Sequence, residues 1–294
     1  MTRLQTTALA RPVSEHLHVP GRVLGCGEAA AYIEHGQFVV AITALGVPMM
    51  PNGITVDAAR LPSMAPGRAV DHAGHVLVVG DTIVELAEAR SWSPAVSRNT
   101  GHSPEDVSRR GRAVLRDCGV ASSTDPSRLA GSLVGAGLSV GSDSDGKDAV
   151  TAVLAGVSTR NPAELVGAAA GLIGRGGGLT PEGDDFLGGI AAAHVALDAA
   201  TELRFPPVAE LRRRTTALSA TLLELAAAGL VVEPLLHVLD VDAPAAQWRP
   251  SLRKLLAIGH TTGRAWAMGC GAAALLLGDD GGPAALPEAA GPHA

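Results

Sequence analysis

The sequence predicts an α+β protein, with an N-terminal β-rich unit, barrel- or sandwich-like, followed by a mostly helical C-terminal domain. Three observations carry this. Short β-branched, apolar runs are confined to the first third of the chain, at residues 37–43 (QFVVAIT) and 75–80 (HVLVVG), and glycine, proline and asparagine turns bound them. After Trp92 and Pro94 the pattern changes to capped helix starts, Ser103-Pro104-Glu105 and Asn161-Pro162-Ala163-Glu164. Near the end, residues 263–277 are almost wholly apolar and rich in Ala and Gly, and read as a buried helix.

In chain order, residues 1–15 are expected to be a flexible arm. Residues 16–92 form the β-rich domain, to which 21–24 and 54–56 add strands. Residues 93–277 form the helical domain. Its helices are expected from Ser103 to about 117, 126–134, 148–157, from Asn161 to about 173, from Thr180 to about 200, 208–229 as one long helix, 234–239, 250–258 and 263–277. Residues 135–147, made largely of Gly, Ser and Asp, read as a loop. The tail from 278 to 294 reads as disordered.

The bulk numbers exclude several classes. A 294-residue chain that is 47% hydrophobic buries a large core and is not intrinsically disordered. A formal net charge of -6 argues against a nucleic-acid partner. Lys147 and Lys254 are the sole lysines. Aromatics make up only 2%, so the core is built from Ala, Val, Leu and Ile. Cys26, Cys118 and Cys270 are odd in number and widely spaced, which fits buried thiols rather than a disulfide framework or a zinc site. No signal peptide is evident and no apolar run suffices for a bilayer, so a cytoplasmic protein without a membrane partner is expected.

The segment from Gly174 to Gly189 is the most informative about function. Gly176, Gly177 and Gly178 precede Thr180, placed as a helix N-cap, and Pro181, placed at the first helical position. Glu182, Gly183, Asp184 and Asp185 follow, so acids occupy the first turn. A glycine loop feeding a helix N-terminus presents backbone N–H groups to an anion. The paired aspartates can hold a divalent cation such as Mg²⁺ or accept hydrogen bonds from a ligand. Thr-Pro-Glu is also an ordinary helix start, but helix stability does not ask for three consecutive glycines, nor for Gly188 and Gly189 inside the helix. Close approach of a ligand or of a neighbouring backbone explains both sets.

A second candidate is residues 258–264, which gather His260, Thr261, Thr262 and Arg264 on a glycine-bounded turn before the buried helix. His260 can move a proton near neutral pH, and Arg264 can fork onto a carboxylate or phosphate. An ordinary turn capped by Thr262 is the alternative. Thr216 and Ser219 lie three apart on one helical face, where hydroxyls often serve only the backbone. Glu233-Pro234 reads as a helix start. No Walker loop, no Gly-x-Ser-x-Gly and no His-x-x-x-His is present, and the glycine loop lacks the preceding strand of a dinucleotide fold.

The run Gly-Leu-Thr-Pro-x-Gly-Asp-Asp-Phe-Leu-x-Gly, together with the segments 216–233 and 258–263, resembles in order and spacing a bacterial family long catalogued as a domain of unknown function. It includes the AllH-like subunit of oxamate carbamoyltransferase from anaerobic allantoin degradation. In this chain Thr262 stands where the family pattern has Ser, and Arg175 enters a loop that is otherwise apolar or proline-bearing. The resemblance implies a carbamoyltransferase-type enzyme, or a subunit of one working with two other subunits, acting on an N-carbamoyl compound with phosphate or carbamoyl phosphate. On that reading Asp184, Asp185 and His260 are the candidate catalytic residues. Gly176, Gly177, Gly178, Thr180, Gly183, Thr216, Ser219, Thr261, Thr262 and Arg264 are the candidate substrate- and phosphate-binding residues. The other reading is a non-catalytic subunit that binds an anionic metabolite or scaffolds a complex. A helical half rich in Ala and Gly also fits a homo-oligomer.

Overall fold

The computed structural model describes residues 1–98, 101–197 and 203–279, and the protein is α+β, as the sequence predicts. Among the described residues, nine strands are β1 (Thr2–Ala10), β2 (Gly21–Cys26), β3 (Ala30–His35), β4 (Phe38–Thr43), β5 (Gly53–Val56), β6 (Ala69–Ala73), β7 (Val76–Val79), β8 (Thr82–Glu85) and β9 (Arg90–Trp92). They form one sheet in the order β5-β4-β3-β2-β6-β7-β8-β1-β9, and β5 also pairs with β1. That pairing closes eight strands into a barrel, which removes the exposed edges an open sheet would leave.

Residues 1–15 are therefore not a flexible arm. Residues 2–5 pair in parallel with β8, and the second half of β1 pairs antiparallel with β5 across an irregularity between Thr6 and Ala8. Leu4, Thr6, Ala8 and Ala10 are buried at alternate positions. That inward set is small and partly polar, so the segment carries little strand signal by itself, and neighbours on both sides hold it. β3, β6, β8 and β9 also lie outside the strands expected from sequence, each being short and held by pairing with residues elsewhere in the sheet.

β4 is buried along its whole length, which is why it reads as a continuous apolar run rather than an alternating one. Val40 and Ile42 belong to the barrel core. Val39 belongs to the helical core, and its N–H donates to Thr221 Oγ1 at 3.1 Å.

The helices are α1 (Pro104–Asp117), α2 (Pro126–Gly135), α3 (Ser144–Thr159), α4 (Pro162–Ala169), α5 (Glu182–Ala196), α6 (Val208–Leu211), α7 (Ala217–Ala227), α8 (Glu233–Leu239), α9 (Ala245–Leu256) and α10 (Thr262–Leu277). Ser103 and Asn161 cap α1 and α4 through their side chains, as expected. α3 starts earlier than expected, because Asp143 accepts the Gly146 N–H at 2.6 Å. α9 begins before Pro250 and carries it internally. The helix expected over 208–229 is broken into α6 and α7. Thr216 caps α7 by accepting the Ser219 N–H at 3.0 Å, and the break turns Thr215 toward Asp184. Residues 198–202 and the expected disordered tail from 280 onward lie outside the described residues.

α5 and α10 meet backbone to backbone. A Cβ on Gly189 would lie 2.3 Å from the Trp266 carbonyl oxygen, and one on Gly269 would lie 2.2 Å from that of Phe186. A neighbouring helix, not a ligand, therefore explains the glycines inside α5. Among the described residues, no helix is long and apolar enough to cross a membrane.

Candidate functional site

The glycine loop owes its shape to local backbone demands. Gly174 and Gly176 have φ of 77° and 115°, a region that side chains other than glycine rarely adopt. A Cβ on Gly174 would also lie 2.0 Å from the Arg214 carbonyl oxygen. Beyond this anchor, residues 176–179 are exposed. The N–H groups of residues 176–180 donate to no acceptor among the described residues.

The loop lines an open cleft with about 2420 Å³ of space. One wall comes from the barrel, through Ala30 and Tyr32 of β3, Ala41 and Thr43 of β4, and residues 46–48 and Met50 beyond it. The other comes from the helical part, through residues 176–180, Glu182, Leu218, Leu222, Glu233, Lys254 and residues 257–262. Burial raises the Tyr32 hydroxyl above the usual phenol range.

The N-cap of α5 is Pro181, one residue later than expected, and it makes no side-chain cap bond. Thr180 does not cap the helix. Its hydroxyl lies 2.9 Å from the Thr262 hydroxyl across the loop, and both threonines line the cleft.

The acids of the first turn are all buried. Glu182 is buried and accepts from the Ser139 hydroxyl and the Val140 N–H, both at 2.6 Å. Asp184 is 2% exposed. It accepts from the Gly174 N–H and the Ser219 hydroxyl, each at 2.7 Å, and from the Thr215 hydroxyl. Burial raises its proton affinity, against the pull of those donors. Asp185, also 2% exposed, accepts from the Trp266 indole N–H at 3.0 Å through Oδ1. Its Oδ2 is buried without a hydrogen-bond partner among the described residues. Burial pushes its pKa up to about 7, opposed by Trp266 and by the Thr262 and Thr180 hydroxyls, which stand close enough to act on it.

Thus Asp184 and Asp185 do not line the cleft. They fasten the loop and the helices from beneath. They also do not fit a Mg²⁺ ion: Asp184 is surrounded by hydrogen-bond donors, and the described residues contain no cluster of three His, Cys, Asp or Glu able to hold a metal.

The remaining candidates divide in the same way. Thr216 caps α7 and donates to the Leu179 carbonyl oxygen at 2.5 Å, pinning the far end of the loop. Ser219 serves Asp184. Gly183 lies beneath the loop, its N–H on the Arg175 carbonyl oxygen at 2.9 Å. Arg264 does not reach the cleft. It donates to the carbonyl oxygens of Ala136 at 2.5 Å and Cys118 at 2.7 Å, which bonds helix ends together. His260 and Thr261 do line the cleft, and His260 is exposed. The thiols of Cys118 and Cys270 are buried and their pKa values raised, the former to about 11, while Cys26 is half-buried.

Sequence reasoning missed Lys254. It stands on the last turn of α9 and lines the cleft with no ion-pair partner among the described residues. Its one signal was its rarity, as one of two lysines in the chain. The cleft's two carboxylates are already engaged, Glu182 as above and Glu233 by the Met49 N–H at 3.3 Å. Besides the hydroxyls of Tyr32, Thr43, Thr180, Thr261 and Thr262, the cleft offers a ligand amide N–H groups, an ammonium and an imidazole.

No solved structure matches the chain. The part of the chain that carries the loop, the His260 turn and α10, residues 172–274, matches the family described as oxamate carbamoyltransferase subunit AllH.

Proposed function

We propose that this chain is a carbamoyltransferase-type subunit whose cleft takes a small anionic substrate on the loop amides of residues 176–180. The substrate class is phosphate or carbamoyl phosphate together with an oxamate-like carboxylate. The observation that carries the reading is that these N–H groups meet no acceptor among the described residues, while the carboxylates of Glu182 and Asp184 beside them are held by other donors. The family match over residues 172–274 supports the reaction class and the working with other subunits.

Carbamoyl transfer moves a carbamoyl carbon between a phosphate oxygen and an amide nitrogen. Addition of the nucleophile places negative charge on the carbonyl oxygen, and each fixed donor aimed at it stabilises the transition state by roughly 3 kcal/mol. In this cleft the loop amides and Lys254 fill that role. His260 lies on the same wall and is suited to giving or taking the proton of the amide nitrogen. Asp184 and Asp185 hold the loop rather than touch the substrate.

A second reading rests on His260 itself. It is exposed and has no hydrogen-bonding partner among the described residues to orient it, unlike most general bases. That favours a non-catalytic subunit that binds the anion for a catalytic partner. Melting curves with phosphate, carbamoyl phosphate and oxamate test binding. Phosphate-dependent breakdown of oxalurate, by the chain alone and with co-expressed partner subunits, tests catalysis. We expect carbamoyl phosphate to raise the melting temperature. The absence of any ligand shift would sink the anion site, and binding with turnover indifferent to His260→Gln would favour the second reading.

A further inference from the structure

We propose that Asp185 is a positioning residue that sets whether the Thr180–Thr262 pair presents a hydrogen-bond donor or only an acceptor to the cleft. This rests on the anion-binding reading above and deepens it.

Three observations point to it. The two hydroxyls are 2.9 Å apart and lie in the cleft wall. Asp185 is almost fully buried, and its Oδ1 takes the indole of Trp266, which lies one turn of α10 beyond Thr262. Its Oδ2 is the one oxygen of the α5 aspartates left without a partner among the described residues, since Oδ1 is held by the Trp266 indole and both oxygens of Asp184 are taken.

The logic is one of counting hydrogens. Each threonine hydroxyl has one hydrogen and can accept. With Asp185 ionised, the Thr262 hydroxyl turns to donate to the unpartnered Oδ2, and the Thr180 hydroxyl donates to Thr262. No hydroxyl hydrogen is left for the cleft, which then shows only lone pairs, suited to the NH₂ of a carbamoyl group. With Asp185 protonated the chain reverses. Its O–H donates to Thr262, Thr262 donates to Thr180, and the Thr180 hydrogen turns outward beside the loop amides, where it suits an anion. No bond between heavy atoms changes, and one proton moves on or off Asp185.

The groups that could mimic or mask this titration are few. On α5, Asp184 opposes the ionisation of Asp185, Glu182 is bonded to Ser139 and Val140, and His194 is buried near the far end of the helix. α10 contributes Arg264, held by carbonyl oxygens, and the buried Cys270. α7 contributes Glu224, whose proton affinity burial raises, and the turn at Ser139–Gly141 carries no charge. In the cleft, His260 and Lys254 are the basic side chains.

The test uses the full chain and sulfate, an anion that does not itself titrate between pH 5.5 and 8.5, with binding measured by calorimetry across that range. It is run in the His260→Gln background, so that the imidazole does not contribute. Affinity should fall about tenfold as pH rises through the region near 7, the size expected for losing one hydrogen bond to a charged ligand. Asp185→Asn should flatten the curve. Thr180→Val, which keeps the buried acid but removes the outward hydroxyl, should flatten it as well, and it remains informative if the Asn variant fails to fold. A pH step that survives in either folded variant overturns the proposal while leaving the anion site intact. Absence of sulfate binding at every pH in the unsubstituted chain overturns both.

Discussion

The two walls of the cleft are built from opposite materials. The barrel wall is regular sheet, and its strands spend their amides on each other: β3 and β4 pair residue by residue from Ala30–Thr43 to His35–Phe38. What it shows the cleft is mostly small and apolar, Ala30, Ala41, Val47 and Met50. The helical wall is irregular where it matters. Residues 176–180 belong to neither helix nor strand, and their amides stay unspent because no periodic partner exists for them. On the proposed reading, the barrel wall shapes the pocket and the loop meets the charge of the ligand. Irregular backbone of this kind persists only when it is held from behind, and here Asp184, Thr215, Thr216 and Ser219 do the holding.

That contrast can be broken most severely at Gly174. Gly174→Ala places a methyl 2.0 Å from the Arg214 carbonyl oxygen at a φ of 77°, so a loss of several kcal/mol of stability is expected. Gly177→Ala, three residues on, meets nothing within 4 Å and should leave unfolding within about 0.5 kcal/mol of the original. Equal melting temperatures for the two would mean that the loop is not clamped at its base.

The next effect concerns the buried acid. Asp185 holds its proton up to about pH 7 in the folded chain, against about 3.9 when unfolded. Between those values the folded state binds more protons than the unfolded one, so stability falls as pH rises from about 4 to about 7. The full loss is on the order of 4 kcal/mol. Asp185→Asn should remove most of that slope in urea unfolding and be the more stable protein at pH 8. A variant that loses stability equally at pH 5 and pH 8 would show that Asp185 does not change its protonation between them in the folded chain.

The smallest change is at the rim. Lys254 is exposed, so Lys254→Gln should alter stability little and weaken oxamate or phosphate binding about tenfold. Unchanged affinity would confine the anion to the loop and remove α9 from the site.

Much of this was legible from local sequence. Ser103 and Asn161 marked true helix starts because a cap is a bond to a residue two or three positions away. The glycine run marked a true irregular loop, since a positive φ is a property of one residue. The roles of the acids were not legible. Asp184 and Asp185 look alike in sequence and were expected to face a ligand, yet one meets three donors and the other one indole. The reason is distance along the chain, with Ser219 35 residues from Asp184 and Trp266 81 from Asp185. Arg264 looked like a ligand-binding fork for the same reason, its carbonyl partners lying 128 and 146 residues away.

The sequence by itself determined the order of β before α, the caps of α1 and α4 and the place where the backbone would be left bare. Each is a matter of periodicity or of contacts within a turn. Only the tertiary structure decided that β1 closes a barrel, that the aspartates face inward, and that Lys254 joins the loop in one cleft. Those outcomes depend on which distant groups arrive to satisfy a buried polar atom, and no local pattern of residues encodes that.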